Sequence, residues 1–169
     1  MKKELVFTEL DREFCHGGPI SGKLSTKKWC SIPYETKNYS GNMLVSLSDS
    51  NPEDVVFSPG VRGWYKIFVA IPVIYAESIA NIVQMKLSSD PAFVSIIPSK
   101  IPDWDEFVIE ESLWRCADMT DESIILTKKF IAERCNSMLS WIRMVPMSDE
   151  EVEKYKQEKA NPDNKRMYF

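Results

Sequence analysis

Glycine is scarce in this sequence, histidine nearly absent, and no apolar run is long enough to cross a bilayer. The 169 residues include six glycines, which occur singly apart from Gly17-Gly18, and none opens a strand-to-helix turn. A Gly-rich phosphate cradle is therefore missing. The one histidine, His16, excludes zinc sites that use two or more imidazoles. Cys15, Cys30, Cys116 and Cys135 stand far apart with no C-x-x-C pair, a spacing unlike the usual zinc patterns. No metal and no cofactor is expected. The stretch Met1–Glu9 has a basic start but no apolar h-region, so neither a secretory signal nor a membrane partner is expected. Reduced thiols and a cytoplasmic location follow as the default; in an exported protein the four cysteines could pair in more than one way. Basic charge is also lacking. Lys and Arg number 21 against 25 Asp and Glu, a net charge of −4, and pairs such as Lys27-Lys28 and Lys128-Lys129 are dispersed. A nucleic-acid partner is not expected from that balance.

What is present is enough apolar material for a core: 44% of residues are hydrophobic and 27% charged. A chain of this size buries about 70% of its surface on folding, so no disulfide or metal staple is needed. The dominant pattern is short β alternation. Residues 63–71 are apolar on both faces, as a central strand requires, with Pro59-Gly60 before them and Pro72 limiting the far end. Val83, Met85 and Leu87 alternate with Gln84 and Lys86, a half-buried strand. Further strands are expected over 92–97, 111–117, 123–127 and 138–145, and weaker ones over 5–10, 29–32, 43–47 and 55–57. Nine or ten short strands separated by turns, with no α/β alternation and no internal period, predict an all-β fold. The expected architecture is an antiparallel, jelly-roll-like β-sandwich.

The tail differs. Ser148-Asp149-Glu150-Glu151 has the capping-box pattern, with Ser148 as N-cap and Glu151 three residues later. Acids fill the first turn and Lys154, Lys156 and Lys159 follow, in the sense the helix dipole favours. Asn161-Pro162 is a natural stop. The expected organisation is a sandwich domain over 1–147 and a C-terminal helix with a linker over 148–169, leading into a following domain.

Few residues are arranged for chemistry. Cys15 and His16 are adjacent, and neighbours on an extended chain point to opposite faces, so they are poorly placed to share a proton. The segment from Pro98 to Phe107 is the most informative loop: Asp103, Asp105 and Glu106 surround Trp104, and Pro98 and Pro102 stiffen the backbone. An indole face stacks on pyranose C–H groups while carboxylates accept hydroxyl hydrogens. Trp104, Asp103, Asp105 and Glu106 are therefore the candidate ligand-binding residues. The same acids could instead ligate calcium, or Trp104 could plug the end of the sandwich while the acids stay solvated. Asp103/Asp105 and Glu110/Glu111 are the pairs that could serve glycoside hydrolysis, which needs two carboxyls across a cleft, one with a raised pKa. Neighbouring acids on exposed segments are more often solubilising, and no catalytic residue is expected. Trp29, Trp64, Trp114 and Trp141 fall in expected strands and read as core or edge packing. Arg143 follows Trp141 by two residues on the same face and is placed for a cation–π contact. Met85, Met138, Met144 and Met147 read as gap-filling core residues.

Four segments together carry a family resemblance: residues 63–69, 85–93, 111–120 and 141–151, from Gly63-Trp64-Tyr65 to Met147-Ser148-Asp149-Glu150-Glu151. This order resembles the N-terminal β-sandwich domain of a group of bacterial multidomain proteins of largely uncharacterised function, in which a downstream domain is similar to glycoside-hydrolase TIM barrels. The resemblance spans about residues 40–160, and its motifs look structural, so no catalytic residue is carried over. It implies a non-catalytic accessory module attached to a glycoside-hydrolase-like partner domain, with weak binding of a glycan as its expected activity. The alternative is a purely structural module that packs between domains and takes no ligand.

Overall fold

A computed structural model describes residues 4–7, 15–16, 20–21, 27–35, 40–47, 51–73, 80–98, 108–129 and 135–160. In chain order the strands are β1 (Leu5–Phe7), β2 (Cys15–His16), β3 (Ile20–Ser21), β4 (Trp29–Glu35), β5 (Ser40–Ser46), β6 (Val55–Phe57) and β7 (Trp64–Val73). They continue with β8 (Ala80–Asn81), β9 (Val83–Leu87), β10 (Val94–Ile96), β11 (Val108–Asp118), β12 (Ile124–Thr127), β13 (Cys135–Leu139) and β14 (Trp141–Pro146). One helix, α1 (Asp149–Ala160), follows. The fold is all-β with a C-terminal helix, as the alternation predicted.

Two sheets face each other across the core. The first has the order β1-β14-β7-β11 and the second β10-β9-β12-β6-β2; a third, β3-β4-β5-β13-β8, completes the body. Pairing is antiparallel except for the short β3–β4 and β8–β13 pairs. Tyr65, Ile67, Val69, Ile142 and Met144 point inward from the first sheet and meet Phe57, Met85, Leu87, Ile124 and Leu126 of the second. Trp29, Leu44 and Leu139 join them from the third. Each such side chain contributes about 1.5–3 kcal/mol by leaving water. Trp29 is fully buried, and its indole N–H donates to the Glu53 carbonyl at 2.8 Å, so its one polar atom is satisfied. In β9 the burial alternates strictly, with Val83, Met85 and Leu87 buried, as expected from sequence.

Two expectations need correction. Pro72 does not end its strand; β7 runs on to Val73. The carbonyl of Ala70 points toward β14, accepting the Ser140 N–H at 2.8 Å, so Pro72, two residues on, faces the same side. The β14 ladder ends at Ala70, so the missing proline N–H removes no sheet bond, and the Pro72 carbonyl accepts from Asn81 instead. The single strand expected over 138–145 is two strands: β13 pairs with β5 in the third sheet and β14 with β7 in the first, the chain changing sheets at Ser140. The weak strand expected over 5–10 is described only at Leu5–Phe7, and the expected stop at 161–162 lies outside the described residues.

The capping box is formed. The Glu151 N–H donates to Ser148 Oγ at 3.2 Å and the Ser148 N–H to Glu151 Oε1 at 3.1 Å. None of the helix residues is buried. What attaches α1 to the first sheet is a small set of contacts: Lys66 Nζ to Glu151 Oε2 at 2.5 Å, the Trp64 and Tyr155 rings 5.6 Å apart, and Tyr155 Oη donating to the Cys116 carbonyl at 3.4 Å. Trp64 therefore packs under the helix and not in the core. Ser148→Ala removes one cap bond, and about 1 kcal/mol of helix stability is expected to go with it. Hydrogen exchange checks this: amides of the first turns of α1 should exchange severalfold faster, while those of β7 and β9 keep their protection.

Candidate functional site

The outer face of the first sheet carries the side chains that alternate with the inward row of β7: Lys66 and Phe68, half-buried, and Ala70, which is fully buried. Register sets what stands beside them. Trp141 of β14 and Glu111 of β11 both lie opposite Ala70. Arg143 and Leu113 lie opposite Phe68, and Val6 of β1 lies opposite Arg143. The small Ala70 side chain between Trp141 and Glu111 lets the indole N–H reach across β7 to Glu111 Oε2 at 2.7 Å. From the next row Arg143 closes on the same carboxylate, with Nη2 to Oε1 at 2.5 Å and Nε to both oxygens at 3.1 Å. Its Nη1 donates to Glu4 Oε1 at 3.3 Å, and the guanidinium lies 4.3 Å over the Phe68 ring. The cation–π contact expected of Arg143 thus forms on Phe68, not on Trp141.

The Arg143 hydrogen bonds hold the Glu111 carboxyl below its ordinary value of 4.5; partial burial opposes this and the Trp141 N–H adds to it. Arg143 is pushed the other way, chiefly by its bonds to Glu111. Glu111 is thus a fixed anion, clamped on both oxygens, that fixes the plane of the Trp141 ring.

A second wall faces this row. Tyr34 of β4 pairs in register with Gly41 of β5, and a Cβ at Gly41 would lie 3.6 Å from Tyr34 Oη, so the phenol lies alongside that backbone. Tyr34, Gly41, Asn42, Glu111, Trp141 and Arg143 are among the lining of a cleft of about 520 Å³, which Glu4, Val6 and Ser140 also border. A cleft of roughly 300–1,000 Å³ suits a small ligand. Ser140 is buried, and its hydroxyl has no hydrogen-bond partner among the described residues. Two aromatic rings, a carboxamide, clamped carboxylates and a guanidinium form a surface that is apolar in patches and studded with donors and acceptors. Such a surface matches a polyhydroxylated ring with C–H faces and an O–H rim.

A second groove, of about 590 Å³, lies between α1 and β11 and is bordered by Lys66, Trp114, Cys116, Tyr155 and Lys159. Two of its lysines are engaged: Lys66 with Glu151, and Lys159 5.5 Å over the Tyr155 ring. Burial pushes the Cys116 thiol up, which leaves it a poor nucleophile at neutral pH.

The candidate residues read from sequence stand as follows. Asp103, Trp104, Asp105 and Glu106 lie outside the described residues. Glu110 and Glu111 are adjacent on β11 but not a pair: Glu110 is 8% exposed, while Glu111 stands in the outer cleft. Alternation along a strand sends neighbours to opposite faces, so a local doublet of acids cannot flank one bond. Cys15 and His16 are successive residues of β2, whose backbone pairs with Phe57 and Val56. Among the described residues, Cys116 and Cys135 are free thiols, and the Cys30 thiol donates to the Lys28 carbonyl at 3.4 Å. No group of three metal-ligating side chains occurs among the described residues, and no helix there is long and apolar enough to cross a membrane. Sequence reasoning assigned Trp141 to packing and overlooked Tyr34 and Asn42. Only the Trp141/Arg143 spacing hinted at the site, because the two walls come from strands far apart in the chain.

No family model matches the chain, and no curated protein matches it. Among solved structures it is similar to the C-terminal CBM6 of LamC, a marine laminarinase from Zobellia galactanivorans. The similarity has 10% identity and a TM-score of 0.41, and covers 85% of this chain and 99% of that one.

Proposed function

We propose that this chain is a non-catalytic accessory module that binds a saccharide in the cleft between the β4–β5 hairpin and the outer face of the first sheet. The observation that carries the reading is the Trp141–Glu111–Arg143 cluster. An aromatic ring held in one orientation by a clamped carboxylate loses little freedom when a sugar stacks on it. Tyr34 and Asn42 supply a second ring and a carboxamide with both a donor and an acceptor on the opposite wall. The non-catalytic part rests on the state of the acids. A glycosidase needs one carboxyl kept protonated by a raised pKa, and Glu111 is displaced in the opposite direction.

The attachment to a glycoside-hydrolase-like domain belongs to the same proposal, in which the module keeps such a partner near its polymer. The Trp104 loop is a second contact for the glycan in this reading.

A glycan array with the intact chain, Trp141→Ala, Tyr34→Ala and Trp104→Ala tests it. Wild type should bind, and Trp141→Ala and Tyr34→Ala should lose at least about tenfold in affinity, the scale of a lost anchor residue. Thermal melts of the same proteins separate loss of the site from loss of the fold. Retained binding in both cleft variants with loss in Trp104→Ala alone would move the site to that loop. Silence of the wild type across the array would favour the alternative, a module that packs between domains through the exposed Val6 and Leu113 flanking Arg143 and Phe68.

A further inference from the structure

We infer that the saccharide taken by this cleft is uncharged, and that Glu4 and Glu111 reject uronates and sulfated sugars. The inference rests on the saccharide reading above and adds the class of ligand. Among the described residues, three charged side chains border the cleft: Glu4, Glu111 and Arg143. The one cation among them is committed. Its Nε and Nη2 are bonded to Glu111, its Nη1 to Glu4, and its face lies on Phe68. Recognition of an acidic sugar runs through a guanidinium fork or an ammonium that can be offered to the incoming carboxylate or sulfate. Here the fork already closes on a protein carboxylate, and a ligand anion would have to displace Glu111 from it. That displacement would also strip the Trp141 N–H of its acceptor and release the ring that the sugar stacks on.

The sum of charges points the same way. Two carboxylates against one guanidinium leave the lining, among the described residues, one negative charge in excess. Glu4 directly precedes the edge strand β1, and its side chain is about half exposed to solvent. A like-charged ligand is therefore opposed on approach as well as in the site. The features that remain for binding are those an uncharged sugar uses: aromatic faces for its C–H groups, and the Asn42 carboxamide for its O–H groups.

The test is calorimetric titration of the intact chain with matched oligosaccharides: gluco- and xylo-oligosaccharides beside oligouronates and sulfated galactan oligosaccharides, at low and at physiological salt. Uncharged ligands should bind, and acidic ones should bind at least about tenfold more weakly, with the gap narrowing as salt screens the site. Glu4→Gln keeps a hydrogen-bond acceptor beside Arg143 while removing the excess charge. It should move the acidic-to-neutral affinity ratio about tenfold toward the acidic ligand. Acidic ligands that bind as well as neutral ones, or a ratio that Glu4→Gln leaves in place, would overturn the inference and leave the saccharide reading standing. Absence of binding to every ligand, in a protein that melts cooperatively, would overturn both.

Discussion

Asn81→Ala should cost this fold about 3–5 kcal/mol, the largest loss expected from any single polar side chain described above. Asn81 is buried in the two-residue strand β8, where it ties three strands together. Its Nδ2 donates to the Pro72 carbonyl of β7 at 3.0 Å and to the Met138 carbonyl of β13 at 3.1 Å, and its Oδ1 accepts the Met138 N–H at 2.8 Å. The carboxamide thereby satisfies backbone groups that neither sheet reaches. Pro72 faces the side on which the β14 ladder has already ended, and β13 is leaving the third sheet near the point where the chain enters the first. Alanine leaves two carbonyls and one N–H buried without partners, and such groups are far more expensive unmade than a hydrogen bond is worth when made. Asn81→Asp is expected to do no better, since it keeps the acceptor, loses both donations and buries a charge. Urea unfolding followed by tryptophan fluorescence checks this through the midpoint at constant slope. A loss under about 1 kcal/mol would mean that water replaces the carboxamide, and the brace would then be no brace.

Glu111→Ala should have the second-largest effect, and it acts on two properties at once. In stability it removes the bidentate partner of Arg143 and the acceptor of the Trp141 N–H, about 1–2 kcal/mol for a half-exposed charge-assisted cluster. In binding it should cost about a hundredfold in saccharide affinity, because the ring that stacks is no longer held. Glu111→Gln should fall between the two, keeping an oxygen for the indole and losing the charge.

The stability part carries a pH signature. The folded-state pKa of Glu111 lies below its ordinary value of 4.5, so its contribution is complete above that value. It is lost as pH falls below 4.5 and through the lower folded value. The difference in unfolding free energy between wild type and Glu111→Ala should accordingly be full at neutral pH and shrink on acidification below 4.5. A difference that is the same at pH values far above and far below would show that packing, not the ion pair, is lost in the variant.

The elements that could be read from sequence are those whose cause is local. Val83 to Leu87 alternates because one face of β9 is core and the other is not, and that period is written in five consecutive residues. The Ser148–Glu151 capping box needs only a hydroxyl and a carboxylate three residues apart, and both bonds are made. The misread elements have distant causes. The strand expected over 138–145 divides at Ser140 because β5 claims one half and β7 the other. Pro72 is tolerated because β14 stops short of it.

The cleft follows the same rule. Trp141 and Glu111 are thirty residues apart and meet only because each pairs with Ala70, from opposite sides of β7. Tyr34 and Asn42 reach them from a different sheet. No window of sequence holds that arrangement, whereas the Trp104 loop drew notice because its acids and indole are neighbours in the chain. Sequence by itself determined the all-β class, the principal strands and the capped C-terminal helix, since periodicity, turn residues and caps act over a few positions. Tertiary structure alone decided which aromatic became a candidate platform, which of two adjacent glutamates faced solvent and which ring the arginine covered. Each of those depends on strand register, and register is settled by pairing between segments that are far apart in the chain.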